Sequence, residues 1–332
     1  LDNKLLNVLT EKALKNPKRV VFAEADNYKI LKAAQTAADE GYAIPILLGR
    51  REKIEELIDE NGLELPNVEI IDPKALDMKE KCVEYGQLFF EKRKRKGFTE
   101  HEAIKIMRER NYFGSMMVET GEADALISGI TRSYKDVIRP AIQIVGKDEN
   151  ISKVAGMHIL VTKRGPLFLA DTTVNFDPTA EELADLTHQV AKTVRRLQIH
   201  PRIAMLSYSN FGSAQGKDAK KMADAVKILN EKHPNLVVDG EIQANFALNN
   251  DLLNEKFSFS SLANKNVNTL IFPNLSSSNI AYKLMQELGD DVDAIGPILI
   301  GLKKSIHVLQ LGSTVREIVN MVKVAVLDAQ IK

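Results

Sequence analysis

The sequence predicts an α/β fold with mainly parallel sheets, divided between two domains. The chain has 332 residues, which at roughly 150 residues per domain is enough for two. Short apolar runs rich in β-branched residues alternate with amphipathic helical segments along almost all of it. These runs are continuous blocks, as expected for strands that helices cover on both faces. Such regular alternation of strand and helix favours parallel strands.

Ten apolar runs are predicted to be strands. They are Arg19–Ala23, Ile44–Gly49, Val68–Ile71, Ala125–Gly129, Met157–Val161, Leu167–Ala170, Ile203–Ser207, Val237–Asp239, Thr269–Phe272 and Ile306–Leu309. A helix is predicted over Glu181–Leu197, where apolar side chains recur at three- and four-residue steps. Thr179 stands three residues ahead of Glu182, which is the spacing of a capping box and marks the start of that helix.

The composition argues against several classes of protein. Lys plus Arg and Asp plus Glu both number 45, and this zero balance argues against bulk-charge binding to nucleic acid or an anionic membrane. No apolar run approaches the ~20 residues that a membrane helix needs. The first residues also lack the profile of a signal peptide. We therefore expect a cytoplasmic protein with no nucleic-acid and no membrane partner.

The reactive side chains indicate neither a metal site nor a redox site. The single cysteine, Cys82, excludes an internal disulfide framework, and its amphipathic helical surroundings predict a buried, inert thiol. None of the six histidines is spaced i,i+4 from another, so no metal site is predicted. The run Glu91–Lys96 is predicted to be a solvated helix end. Gly212–Asp218 approaches a P-loop, but its glycines are one residue too close.

Three small polar loops follow predicted strands, where open α/β sheets bind ligands. They are Ser128–Ser133, Ser207–Ala214 and Pro273–Asn279, the last of which opens a helix predicted over Ile280–Leu288. Backbone N–H groups at such helix starts are free to bind a phosphate or another anion. The loops therefore favour a shared anionic ligand, although capped turns without a ligand remain an alternative for each. Asp239–Glu241 fits either acid–base carboxylates or a turn that needs Gly240.

Several longer segments resemble the phosphate acetyltransferase/butyryltransferase family. They are Tyr112–Val118, Gly121–Asp124, Arg139–Ile144, Leu206–Ser209, Gly212–Ala214, Asp239–Gln243, Ile271–Leu275, Asn279–Lys283 and Gly296–Leu299. The resemblance implies two α/β/α three-layer domains, of the isocitrate/isopropylmalate dehydrogenase-like kind, with CoA or acetyl-CoA in a cleft between them. It implies a first domain of residues 1–146 plus 300–332 and an inserted second domain of residues 147–299. It also implies a homodimer.

One branch of the family is similar at further segments. Ala170–Leu183, Ser209–Ser213 and Arg316–Met321 are similar to the acetyltransferase-like C-terminal half of large bacterial NADP-dependent malic enzymes. In those hybrids a malate-oxidising catalytic half, which holds the NADP and the divalent metal, precedes such a domain in the same parent chain. The resemblance thus implies acetyl-CoA as an allosteric effector and an assembly of dimer size or larger. The first residue, Leu1, agrees with a fragment of such a chain.

The catalytic residues of the family carry over only in part. Two arginines of the active transferases correspond to Arg139 and to Arg93, or to Arg95 if the register shifts. The family's late Ser-Arg-Gly-Cys-Ser-x-x-Asp motif corresponds to Gln310–Glu317, where Gln310 replaces the serine and Leu311 the arginine. Glu317 replaces the aspartate that serves as the base. Losing one preorganised donor, such as the serine or the arginine of this motif, typically costs ~10²–10³ in rate.

Glu317 has two interpretations, because Thr314 and Glu317 also have the spacing of a capping box. If the domain is an active transferase, the resemblance makes Glu317, Arg139 and Arg93 its catalytic residues. The acetyl-CoA contacts that it implies are Ser128, Gly129, Thr131, Arg139, Ser209, Asn210, Asn279, Tyr282, Lys283 and His307. Three hypotheses follow: a regulatory domain that binds acetyl-CoA without transferring it, an active phosphate acetyltransferase, and a dimerisation module without a ligand.

Overall fold

The computed structural model describes residues 4–149, 151–289 and 292–332. In these residues the helices are α1 (Lys4–Lys15), α2 (Tyr28–Asp39), α3 (Arg51–Glu60), α4 (Lys79–Arg93), α5 (Glu100–Ile106), α6 (Arg110–Thr120), α7 (Tyr134–Ile144), α8 (Ala180–Arg196), α9 (Lys217–Lys232), α10 (Ala244–Ala247), α11 (Asn250–Lys256), α12 (Leu275–Leu288) and α13 (Val315–Ile331). Their strands are β1 (Lys18–Phe22), β2 (Ala43–Leu48), β3 (Glu69–Ile71), β4 (Ala125–Ser128), β5 (Ala155–Thr162), β6 (Gly165–Ala170), β7 (Arg202–Leu206), β8 (Val237–Ile242), β9 (Thr269–Ile271), β10 (Asp293–Ile300) and β11 (Ser305–Val308).

The described residues form two units, each with its own sheet. The first unit comprises Lys4–Asp148 and Leu302–Lys332, and the second comprises Glu149–Gly301. None of the helices in the described part of the chain is long and apolar enough to cross a membrane.

The sheet of the first unit has the strand order β11-β4-β1-β2-β3, and every adjacent pair is parallel. All four residues of β4 are buried, so both faces of the sheet centre are covered, as the continuous apolar runs predict. The chain leaves β1 towards β2 on one side, whereas β4 lies on the other. The carboxyl ends of β1 and β4 therefore flank a topological switch point, where open α/β sheets bind ligands.

The sheet of the second unit has the order β10-β5-β6-β9-β7-β8. The strands β6, β9, β7 and β8 are parallel, and β5 is antiparallel to both β6 and β10. The predicted α/β class with mainly parallel sheets is thus confirmed. Strand β10 is missing from the sequence prediction because Gly296 and Pro297 interrupt its apolar run. At that point the register with β5 shifts, between Ile295 and Ile298.

Two helix starts test the capping predictions. The Thr179 hydroxyl oxygen accepts a hydrogen bond from the Glu182 N–H, and the Glu182 carboxylate accepts one from the Thr179 N–H, so the predicted capping box is confirmed. The helix predicted over Ile280–Leu288 instead begins at Leu275. Its N-cap is Asn274, whose side chain accepts from the Ser277 N–H at 3.0 Å. The prediction of that boundary was wrong because a run of serines was taken for a loop, although Asn274 already satisfies the first turn.

Candidate functional site

A buried glutamate occupies the switch point of the first unit. Glu24 lies just beyond β1 and is 4% exposed. One of its carboxylate oxygens accepts from the N–H groups of Gly129 (2.5 Å) and Ile130 (2.8 Å). The other accepts from the N–H of Thr131 at 2.9 Å and from the Thr131 hydroxyl. The loop after β4 is therefore an anion-binding nest whose anion is supplied by the protein itself.

The predicted loop Ser128–Ser133 is thus at the expected edge of the sheet, but its N–H groups are not free. Those of Gly129 and Thr131 bind Glu24, and the Ser128 hydroxyl donates to the same carboxylate at 3.3 Å. The expectation that these donors are open to a ligand anion was wrong, because a residue more than a hundred positions earlier takes them. The assignment of the three residues as acetyl-CoA contacts stays a prediction.

Two arginines of the first unit influence the pKa of the same tyrosine, Tyr112. Burial raises the pKa of Tyr112, and the guanidinium groups of Arg139 and Arg93 act in the opposite direction. Within the described residues neither arginine forms an ion pair. Arg93 is half-buried, and its buried Nε lacks a hydrogen-bond partner, whereas Arg95 is exposed. Of the two registers left open by the sequence, the one with Arg93 places an uncommitted guanidinium near the same tyrosine as Arg139.

The run Glu91–Lys96 contains the end of α4 and the turn that follows it, and all of it except Arg93 is exposed. Lys94 pairs with Glu91 at 2.6 Å and Lys92 with Glu119 at 2.5 Å. The prediction of a solvated helix end is therefore confirmed. Cys82 is buried, as predicted, and burial raises the pKa of its thiol.

The loop between β11 and α13 carries the altered motif. Leu311 is 71% exposed. The Glu317 carboxylate accepts from the Thr314 N–H at 2.7 Å and from its hydroxyl at 3.1 Å, which confirms the capping box. The ammonium group of Lys29, on the first turn of α2, donates to the carbonyl oxygen of Ser313 at 3.1 Å. The sequence analysis missed this lysine, because only the fold brings α2 to this loop.

His307 is buried on β11 and lies 3.2 Å from a carboxylate oxygen of Asp328, in the last turns of α13. Lys332 donates to the same oxygen at 2.7 Å. Burial opposes ionisation of Asp328, but Lys332 and His307 together hold the pKa of its carboxyl well below the usual range. The geometry gives His307 a packing role at the end of α13, and its predicted contact with acetyl-CoA stays a prediction.

In the second unit, the loop after β7 is also organised around a buried carboxylate. Glu241 is 4% exposed and accepts from the Ser209 hydroxyl at 2.9 Å and from the Gly212 N–H at 2.5 Å. The Asn210 side chain accepts from the Gln243 N–H at 2.8 Å. The polar groups of Ser209 and Asn210 therefore hold the loop itself. Their predicted contact with a ligand remains a prediction.

The Asp239–Glu241 segment favours the turn over acid–base chemistry. Gly240 has a φ of +142°, and a Cβ there would lie 2.5 Å from the carbonyl oxygen of Met205, so glycine is required. The Asp239 carboxylate accepts from the Ser260 hydroxyl at 2.7 Å. Both carboxylates of the segment are thus committed to local structure.

A third buried carboxylate organises the loop after β6. Asp171 is 3% exposed and accepts four backbone N–H groups. These belong to Gly156 (3.1 Å), Thr173 (2.8 Å), Val174 (3.0 Å) and Asn175 (2.9 Å). The Ser278 hydroxyl, on α12, donates to the Asp171 carbonyl oxygen at 2.5 Å. Asp171 therefore ties this loop to α12.

The predicted residues of α12 lie beside this loop. The Asn279 amide donates to the Thr172 carbonyl oxygen at 3.3 Å. Tyr282 is 4% exposed and its ring stacks on that of His158, with centroids 4.1 Å apart. Lys283 is exposed, with its ammonium 5.2 Å from the centre of the Tyr282 ring. The structure thus brings Asn279, Tyr282 and Lys283 together, with Lys283 the most accessible to a ligand.

The sequence analysis missed Glu24, Tyr112 and Asp171 as organising residues. A usable signal existed for two of them, because Glu24 and Asp171 each directly follow an apolar run that the sequence predicts to be a strand. Tyr112 lies within a buried helix and gave no such signal. Across residues 4–149, 151–289 and 292–332, no group of three or more His, Cys, Asp or Glu side chains is arranged to hold a metal ion.

Two α/β units whose polar loops gather at the carboxyl edges of parallel strands define a class of ligand-binding α/β proteins. Arg93 and Arg139, which form no ion pair within the described residues, have side chains suited to an anionic ligand. The chain belongs to the phosphate acetyl/butaryl transferase family, whose model matches residues 4–326. The resemblance read from the sequence is therefore confirmed.

Relatives of two kinds match the chain. The NADP-dependent malic enzyme of Escherichia coli (strain K12) is 36% identical over 99% of this chain, but the match covers 43% of that enzyme. The phosphate acetyltransferase of Clostridium acetobutylicum is 35% identical, with 98% of both chains covered. A solved phosphotransacetylase from Streptococcus pyogenes has a TM-score of 0.87 at 35% identity, covering 99% of this chain and 98% of its own. The chain thus spans less than half of the E. coli malic enzyme and nearly all of the C. acetobutylicum and S. pyogenes chains.

Proposed function

We propose that this chain is the acetyl-CoA-binding regulatory domain of an NADP-dependent malic enzyme and that it has lost acetyl transfer. The observation that carries the proposal is the state of the Gln310–Glu317 loop. Its Leu311 side chain offers no donor to a phosphate, and its Glu317 carboxylate is held by the N-cap of α13. A base must take the thiol proton of CoA, and a carboxylate bound by two donors of Thr314 is poorly suited to that step.

The remaining groups suit binding better than transfer. Arg93 and Arg139 supply guanidinium groups without ion pairs in the described part of the chain, as an anionic carrier such as acetyl-CoA requires. Lys283 supplies an exposed ammonium group on the second unit. Ser128, Gly129, Ser209 and Tyr282 are buried and would act by shaping the loops.

Regulation by this domain requires that acetyl-CoA binds one conformational state of the parent enzyme more tightly than another. The malate-oxidising half of the same parent chain would hold the NADP and the divalent metal. Contacts between copies, in a homodimer or a larger assembly, would transmit the difference. The match over 43% of the E. coli malic enzyme supports such a parent chain.

The test combines an activity assay with calorimetry. Acetyl-CoA should bind the purified chain, while acetyl-CoA formation from acetyl phosphate and CoA should be far below the ~10 s⁻¹ of a middling enzyme. Turnover within tenfold of that rate would overturn the proposed loss of transfer. If millimolar acetyl-CoA gave no binding heat and no thermal shift, a dimerisation module would be favoured instead.

The alternative of an active phosphate acetyltransferase has one specific observation in its favour. The ammonium group of Lys29 places a positive charge at the Gln310–Ser313 loop, 3.1 Å from the Ser313 carbonyl oxygen. With Arg93 and Arg139 it would give phosphate three cations despite Leu311. The same activity assay decides between the two proposals.

The two arginines of the charged run provide a matched pair of variants. Arg93→Ala is expected to weaken acetyl-CoA binding about tenfold, because it removes a charged donor from the ligand site. Arg95→Ala, which removes an equal charge from an exposed turn two residues away, should change the dissociation constant less than twofold. Calorimetric titration of both variants checks this. Equal effects of the two substitutions would show that only bulk charge matters.

Restoring the family motif should separate binding from transfer. The double variant Gln310→Ser with Leu311→Arg reinstates a hydroxyl and a guanidinium at the altered loop. We expect a measurable gain in acetyl-CoA formation and an unchanged affinity for acetyl-CoA, because one such donor is worth ~10²–10³ in rate. The variant Leu311→Lys, with a charge but no bidentate fork, is the control. A collapse of acetyl-CoA binding would show that this loop does not lie at the acyl end of the ligand.

A further inference from the structure

Glu24 connects the ends of three strands of the first unit. It follows β1, its carboxylate binds the loop after β4, and that loop contacts the end of β11. The last contact is a hydrogen bond of 2.6 Å from the Leu309 N–H to the Ser128 carbonyl oxygen. Gly129 must be glycine here, because its φ is +117° and a Cβ would lie 2.8 Å from the Leu309 carbonyl oxygen.

The charge of Glu24 is stabilised without a cation. No lysine, arginine or histidine of the described residues forms an ion pair with it. Its buried carboxylate is instead satisfied by the donors of Ser128, Gly129, Ile130 and Thr131. Backbone N–H groups that converge in this way bind a free anion in other proteins. Here the anion is covalently part of the chain.

The loop that Glu24 holds leads directly into α7 and its arginine. Ser133 is the N-cap of α7 and forms a capping box with Asp136, so the orientation of the helix start is fixed from the loop side. Arg139 lies in the second turn of that helix. The position of its guanidinium therefore depends on the loop, and the loop depends on the carboxylate.

We propose that Glu24 is a positioning residue: it acts as a permanent internal anion that orders the Ser128–Thr131 loop and thereby sets α7 and Arg139 for the ligand. This rests on the proposed function, because the readout is binding of acetyl-CoA. It also means that a phosphate of the ligand binds elsewhere than in the nest of Gly129–Thr131. Glu24 itself takes no part in any transfer of protons or acyl groups.

The test is chemical rescue of Glu24→Ala. The substitution removes a fragment of the size of acetate and leaves the converging N–H groups without an acceptor. We expect acetyl-CoA affinity to fall about tenfold or more, because unsatisfied buried donors disorder the loop. Sodium acetate should restore most of that loss saturably, whereas sodium chloride at the same ionic strength should not. Acetate should leave the affinity of the unmodified chain unchanged.

The control is Ile127→Ala, which opens a fully buried apolar cavity on the neighbouring strand β4. Its thermal stability should fall, and acetate should not restore it. The proposal would be overturned if acetate restored the thermal stability of Ile127→Ala as well as the affinity of Glu24→Ala. It would also be overturned if acetate had no effect on Glu24→Ala. An affinity of Glu24→Ala within twofold of the unmodified chain would also overturn it.

A second readout keeps the inference separate from the proposed function. If the unmodified chain does not bind acetyl-CoA, the proposed function fails, yet the role of Glu24 can still be measured by hydrogen exchange. The amides of Gly129, Ile130 and Thr131 should exchange much faster in the isosteric variant Glu24→Gln, which has one acceptor oxygen instead of two. Should Glu24→Ala fail to fold, this variant decides the question. Unchanged protection of these amides would overturn the positioning role.

Discussion

Replacing Asp171 with alanine is expected to lower the free energy of unfolding by about 4 kcal/mol or more, because it leaves four backbone N–H groups without their acceptor. Each of these groups is directed at a side chain that is only 3% exposed. The hydrogen bond from Ser278 on α12 goes to the main-chain carbonyl oxygen of residue 171, which alanine keeps, so the expected loss comes from the N–H groups alone. Urea denaturation followed by circular dichroism measures the change.

Asp177→Ala is the matched control, since it removes a carboxylate from the same loop. That side chain is 54% exposed and pairs with Lys217 at 3.0 Å and Lys221 at 2.6 Å. Its carboxylate is exposed, and the buried Lys221 keeps a second partner, Asp218, at 3.4 Å, so the effect should be several times smaller. If both variants lose less than about 1 kcal/mol, the nest around Asp171 contributes little net stability.

The free energy of unfolding of the chain should decrease as the pH is lowered, in a pH range set by His158. Burial lowers the pKa of its ring to about 3, and the ammonium group of Lys283 acts in the same direction. In the unfolded chain an ordinary histidine has a pKa of about 6.5. Between these values the unfolded state binds one more proton than the folded state. The stability that depends on a neutral His158 ring is therefore fully present above about pH 6.5. It is lost at about 1.4 kcal/mol per pH unit as the pH falls towards 3.

The variant His158→Asn isolates this contribution, because asparagine can keep the hydrogen bond that the Nδ1 atom makes with the Thr172 hydroxyl at 2.7 Å. Free energies of unfolding of both proteins should be measured from pH 7.5 to 4.5. The difference between them should shrink as the pH falls. Two parallel curves would mean that the ring is protonated in the folded state at mildly acidic pH.

Local sequence patterns predicted much of the fold. The continuous apolar runs predicted β1 and β4 because strands covered on both faces admit only apolar side chains. The capping boxes at Thr179 and Thr314 were predictable because both partners are three residues apart. Strand β10 was not predicted, because the register shift at Gly296 and Pro297 breaks the pattern and only the pairing with β5 restores it.

The same distinction applies to the candidate site. The sequence placed polar loops at the carboxyl ends of strands, and the family resemblance selected Arg93 and Arg139. It did not reveal that Glu24 and Glu241 already take N–H groups of two of those loops. Nor did it reveal Lys29, whose ammonium group reaches the carbonyl oxygen of a residue 284 positions later.

The sequence alone determined the class of fold and the family. These follow from side-chain type and from short spacings along the chain. Only the tertiary structure decided which donors remain available to a ligand, because a buried N–H group binds whichever carboxylate the packing brings to it. For Gly129 that carboxylate lies 105 residues away in sequence and 2.5 Å away in space.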